Sequence, residues 1–175
     1  MANWCTIELH IWATTDEGAK KIYDRLIEEQ KKAADQHLLM FFGSDRYLGS
    51  PQITLFDSSE LLNLGMVDVL GEVRWGMGHK AMVNTIKWLH SLADINHIDL
   101  TEEEGGNCVF GRYDYNRSKE AKRKYGKLTY RYIPVGKFPD FKDGEDTSWY
   151  DKLLKTLETE GVTEEIDMAT GKEKD

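Results

Sequence analysis

Apolar and polar residues alternate from Thr6 to Ala13, with Ile7, Leu9 and Ile11 on one side and Glu8, His10 and Trp12 on the other. That period of two predicts a half-buried strand. The period then lengthens. Thr14-Thr15-Asp16-Glu17 offers a cap and first-turn acids, and Ala19, Ile22, Tyr23, Leu26 and Ile27 recur at helical intervals, which predicts a helix to about Ala34. Leu38 to Phe42, closed by Gly43-Ser44-Asp45, and Gln52 to Phe56 read as short strands. Asp57-Ser58-Ser59-Glu60 has capping-box spacing and predicts a short helix through Leu64. Val67 to Trp75 reads as a strand broken at Gly71. After Gly76-Met77-Gly78, the inward positions Met82, Val83, Ile86, Leu89 and Ala93 predict a second long helix.

Three further strands follow, over His97 to Thr101, Cys108 to Tyr115 and Leu128 to Ile133, with Glu102 to Asn107 as a turn and Asn116 to Gly126 as a charged connector. Pro134 to Gly144 is irregular. Thr147-Ser148 caps a last amphipathic helix on Tyr150, Leu153, Leu154 and Leu157, stopped by Gly161. The order strand, helix, strands, helix, strand predicts an α+β fold with a ferredoxin-like βαββαβ core, an antiparallel sheet, C-terminal strand additions and a terminal helix. One domain over residues 1–162 is expected, with the core at about 4–115 and an extension at 116–162. Residues 163–175 read as a disordered polar tail.

Composition narrows the class. Apolar residues reach 40%, with five Trp and eight Tyr, enough for a packed core in 175 residues. No apolar run is long enough to span a membrane, and Met1 to Cys5 lacks a signal-peptide pattern, so a cytoplasmic protein with no membrane partner is expected. Cys5 and Cys108 sit in strand-like segments with no metal-ligand spacing, and buried packing is the expectation for both. No cofactor or metal is expected.

The net charge of −8 is unevenly laid out. Residues 1–111 hold nine Lys/Arg against 17 Asp/Glu, residues 112–137 nine against two, and residues 138–175 five against 12. An acidic chain repels nucleic acid at long range, whereas the compact basic segment could grip it locally or pair with the protein's own acids.

Three passages carry a family likeness. Met1-Ala2-Asn3-Trp4-Cys5 opening into a strand, Val73-Arg74-Trp75-Gly76 before the second helix, and Glu102-Glu103-Glu104-Gly105-Gly106-Asn107-Cys108-Val109-Phe110-Gly111 resemble the YubB-like ferredoxin-domain proteins of plasmids and phages. The resemblance spans roughly residues 1–115. It implies the fold and a mobile-element context, and brings no established chemistry with it.

Candidate site residues fall into two groups. Glu102, Glu103 and Glu104 form an acidic turn, which could face a basic partner or, with Asp99, bind a divalent ion. Arg112, Arg117, Lys119, Lys122, Arg123, Lys124, Lys127, Arg131 and Lys137 are interleaved with tyrosines that could stack bases, or the basic residues could pair internally or meet a protein. Gly76 to Lys80 resembles a turn that could hold an anion at a helix start. His79 there is a candidate base, though no residue nearby in sequence is placed to orient it. The reading that fits best is a non-enzymatic mobile-element interaction protein. It would be an acidic inhibitor of a host nucleic-acid-dependent complex, such as a CRISPR effector. The expected partner is a host protein or ribonucleoprotein, with RNA contact through 112–137 as an added possibility. A small RNA-binding module or a metal-dependent nuclease is the alternative.

Overall fold

The computed structural model describes residues 4–32, 38–40, 47–56, 65–74, 76–104, 109–117, 124–140 and 148–174; for 38–40, 47–48 and 74 the description covers the backbone only. The elements run β1 (Trp4–Ala13), α1 (Asp16–Lys32), β2 (Leu38–Met40), β3 (Tyr47–Phe56), β4 (Met66–Arg74), α2 (His79–Leu92), β5 (Ile95–Glu104), β6 (Val109–Asn116), β7 (Lys127–Tyr132), α3 (Trp149–Glu160) and β8 (Val162–Ile166). The strands make one sheet in the order β2-β3-β4-β1-β5-β6-β7-β8, with every neighbouring pair antiparallel. The fold is mixed α+β.

β1 lies mid-sheet because its alternation supplies one unbroken apolar row. Cys5, Ile7, Leu9, Ile11 and Ala13 are all buried, and Val67, Val69 and Val73 of β4 and Ile98 and Leu100 of β5 extend that row sideways. Ala19, Ile22 and Leu26 of α1 and Met82, Val83, Ile86 and Leu89 of α2 close over it in one cluster. Both long helices therefore cover the same face of the sheet. Thr15 Oγ1 accepts the N–H of Gly18 at 3.1 Å, satisfying an amide that the first turn of α1 would leave unpaired.

The other face has a smaller cluster at one end. Phe110 projects there, being out of phase with buried Tyr113 and Tyr115, and packs with Ile133, Leu153 and Leu157 under α3. Ser148 caps α3 by accepting the N–H of Asp151 at 3.1 Å, as the sequence suggests.

Two expectations change. Gly71 does not break β4: it pairs with Ile7 in a register that runs without a shift from Trp4↔Arg74 to Trp12↔Met66. The irregularity falls on β3 instead, between Gly49 and Gln52, where Ser50 takes φ 48 and Pro51 has no N–H to donate. Residues 163–175 have the polarity of a disordered tail, yet Val162–Ile166 pair with β7 as an edge strand and a bridge joins Ile166 to Glu173. An edge strand needs only one buried anchor, here Ile166, so its sequence looks as polar as a loop. The short helix expected after Asp57 lies outside the described residues.

Candidate functional site

Strand alternation splits the acidic triplet. Glu102 and Glu104 share the helix-covered face with Ile98 and Leu100, while Glu103 projects to the opposite face with Asp99. Glu102 is 4% exposed. Its Oε2 accepts the N–H of Met77 at 2.8 Å and its Oε1 accepts the hydroxyl of Tyr130 at 2.7 Å. The Gly76–Gly78 turn at the start of α2 is therefore already occupied by a carboxylate of the protein itself. Its backbone needs glycine, with φ of 72° at Gly76 and 73° at Gly78, and a Cβ on Gly76 would stand 3.1 Å from Glu102 Oε2. Glu104 accepts the Cys5 thiol at 3.6 Å. Burial, reinforced by the charges of Glu102 and Glu104, pushes that thiol up to about 12, so it stays protonated and unreactive.

His79 has the orienting groups that its sequence neighbourhood lacks. They come from β6 and β8: Nδ1 shares a hydrogen bond of 3.0 Å with the Tyr113 hydroxyl, and Nε2 lies 3.4 Å from a Glu164 oxygen. The rings of Tyr113 and Tyr130 meet the imidazole edge-on. Burial, with the charge of Glu102 adding to it, pushes both phenols up, so they stay protonated, and the Tyr130 hydroxyl donates to Glu102. The cluster is a satisfied polar network linking α2 to three strands.

The basic segment is largely engaged with nearby acceptors. Arg112 grips Asp99 through two nitrogens, Nε at 2.7 Å, and that hydrogen bond pushes the guanidinium pKa up. Arg117 meets Asp94 at 2.9 Å, Lys127 meets Glu165 at 2.9 Å, and Lys137 meets Glu160 at 3.1 Å. Arg131 Nη2 donates to the Glu158 carbonyl at 2.7 Å. Lys124 lies over the Tyr125 ring. Lys119, Lys122 and Arg123 lie outside the described residues, as does Cys108. Tyr113 and Tyr115, two of the tyrosines that could stack bases, are buried beneath the helices. Tyr115 shares a 2.7 Å hydrogen bond with His90 and accepts the Gly126 N–H at 2.8 Å.

The face opposite α1 and α2 is a different surface. β1 presents Trp4, Thr6, Glu8, His10 and Trp12 there, and its register partners are Glu72, Leu70 and Asp68 on β4 and Glu103, Thr101, Asp99 and His97 on β5. Some of these charges are compensated: His10 Nδ1 is 2.7 Å from Asp68, His97 is 3.8 Å from Asp114, and Asp99 is held by Arg112. Glu72 and Glu103 make no ion pair among the described residues. Trp4, Leu70 and Tyr150 are among the few exposed large apolar side chains, at 45%, 40% and 38%. Trp4 and Leu70 lie on this face. Tyr150 of α3 overhangs it, and its phenol is pushed up by burial and then by Glu8 and Glu103. A hollow of about 320 Å³ on this face is lined in part by Thr6, Gln52, Leu70 and Glu72.

The carboxylates considered for a divalent ion fall on both faces of the sheet. Asp99 is bound by Arg112, and Glu102 and Glu104 point away from it through the sheet. Among the described residues, no group of three or more His, Cys, Asp or Glu side chains is gathered to hold a metal ion, and no helix is long and apolar enough to cross a membrane. The sequence nominated Glu103 for this face but missed Glu8, Glu72 and Trp4, whose gathering depends on strand order. No protein-family model, curated protein or solved structure matches the chain.

Proposed function

We propose that the open sheet face is a docking surface for a basic protein, and that the chain works by occupying a surface its partner uses to grip nucleic acid. The supporting observation is the composition of that face: Glu72 and Glu103, which make no ion pair among the described residues, and Glu8 beside them surround exposed Trp4 and Leu70. Exposed apolar anchors within a charged rim are the usual anatomy of a protein interface. Carboxylates also repel phosphate, so Trp4 and Trp12 are poorly placed to stack a nucleic-acid strand. A CRISPR effector is the sharpest candidate partner, as an enzyme whose guide and target lie in a positively charged channel.

The same reading takes the β1-α1-β3-β4-α2-β5 unit, with sheet order β3-β4-β1-β5, as a ferredoxin-like core enlarged by β2 and β6–β8, in keeping with a YubB-like mobile-element protein. The test adds purified protein to a panel of guide-loaded RNA-guided nucleases before target DNA and follows cleavage. Inhibition of at least one, relieved by Glu72→Lys with Glu103→Lys, is the expected outcome. Inhibition that survives the double reversal would reject the acidic face, and no inhibition across the panel would reject the effector as partner.

A further inference from the structure

A second surface lies on the helix-covered side. At the sheet edge, where β7 and β8 meet α2, there is a cleft of about 410 Å³ lined in part by Lys87, Lys124, Tyr125, Lys127, Met168 and Lys174. Its size falls within the range of small-molecule sites. Its charges run against those of the chain as a whole. Of its acids, Glu165 is taken by Lys127 at 2.9 Å and by Lys174, and Asp167 caps its own turn by accepting the Ala169 N–H at 2.6 Å. Lys87 makes no ion pair among the described residues, and Lys124 is placed 5.3 Å from the Tyr125 ring centre. Among the described residues, the rim therefore carries two ammonium groups without an ion pair, Lys87 and Lys124, while both of its carboxylates already accept hydrogen bonds.

Tyr125 and Met168 supply the other half of a recognition site. His90 meets one part of the Tyr125 ring edge-on, with centroids 5.6 Å apart, and so helps to fix its orientation. A fixed aromatic ring beside a polarizable thioether suits a flat base, and two lysines suit the phosphate attached to it. We propose that this cleft binds a nucleoside monophosphate unit, its phosphate between Lys87 and Lys124 and its base against Tyr125. The unit is either a free nucleotide or one residue of a single strand. This site is separate from the acidic face and stands or falls independently of it.

The experiment titrates uridine monophosphate, inorganic phosphate and a three-nucleotide single strand into the full chain at low salt, following backbone amides by NMR. Uridine monophosphate should give saturable shifts at 87, 124–127 and 165–169. Lys87→Glu with Lys124→Glu should weaken binding at least tenfold, by loss of two phosphate contacts and added repulsion. Tyr125→Leu should weaken the nucleotide while leaving inorganic phosphate unchanged. If the trinucleotide binds more tightly than the monophosphate, the source is a strand. Its affinity should then fall about 2.6-fold from roughly 50 to 200 mM salt, for the one phosphate neutralised. Equal affinity assigns a free nucleotide. Absence of saturable shifts in the cleft, or binding indifferent to the lysine reversals in folded protein, overturns the site. Inorganic phosphate binding as tightly as the nucleotide, with no effect of Tyr125→Leu, overturns the base contact.

Discussion

The two faces of the sheet use carboxylates in opposite ways. On the helix side, Glu102 and Glu104 are buried, and Glu102 joins the α2 turn to Tyr130. On the open side, Glu103 is the next residue to both and has no ion pair among the described residues. One residue of phase separates a carboxylate that holds the fold from one that faces outward. A charge's role is thus set by which face it occupies and what it meets there.

The strongest way to break this contrast is to empty the helix side. Leu26→Ala should cost about 2–5 kcal/mol, read from denaturant unfolding, because the site is sealed beneath the sheet and cannot fully collapse. Glu102→Ala should come next, at about 1–3 kcal/mol for each hydrogen-bond donor it leaves unpaired, namely the Met77 N–H and the Tyr130 hydroxyl. A cost near zero would show that Glu102 is as free as Glu103. Gly78→Ala should cost about 1–3 kcal/mol for forcing a side chain onto φ 73°, ψ 147°. Lys80→Ala on the same turn should change thermal stability little.

Acid sharpens the contrast at the sheet edge. Lys174 and Lys127 hold the Glu165 carboxyl down to about 2, below its ordinary 4.5. Its folded value is the lower one, so its contribution to β8 docking is complete above 4.5 and is lost as pH falls towards about 2. Hydrogen exchange of the β8 amides should quicken through that window, and Lys174→Ala should move the loss to higher pH. Smallest of all, Glu103→Gln should leave unfolding within about 0.5 kcal/mol of wild type, as expected for a surface change outside any structural contact.

Local pattern made most of the layers legible. Alternation in Thr6 to Ala13 and helical spacing from Ala19 to Leu26 arise from the burial that later seals them, so those elements and their inward residues could be read directly. The open face could not, because Trp4, Glu72 and Glu103 come from three strands whose adjacency is a matter of topology. His79 was visible as a reactive type of residue, but Tyr113 and Glu164 lie too far along the chain to be assigned to it. β8 was missed because an edge strand with one buried isoleucine has almost no hydrophobic signal. The basic segment stands out in the sequence; its pairing with Asp94, Asp99 and Glu165 needed the fold.

The most direct test of the acidic docking face is an NMR titration of the full chain with a short arginine-rich peptide at low and high salt. The account expects saturable shifts along the outward positions of β1, β4 and β5, at Glu8, Glu72 and Glu103, with Trp4 and Leu70 beside them. These should fade as salt screens the charges and largely disappear in Glu72→Lys with Glu103→Lys. Shifts that instead gather on α3 and the acids of residues 151–167, or that ignore both salt and the double reversal, would contradict it.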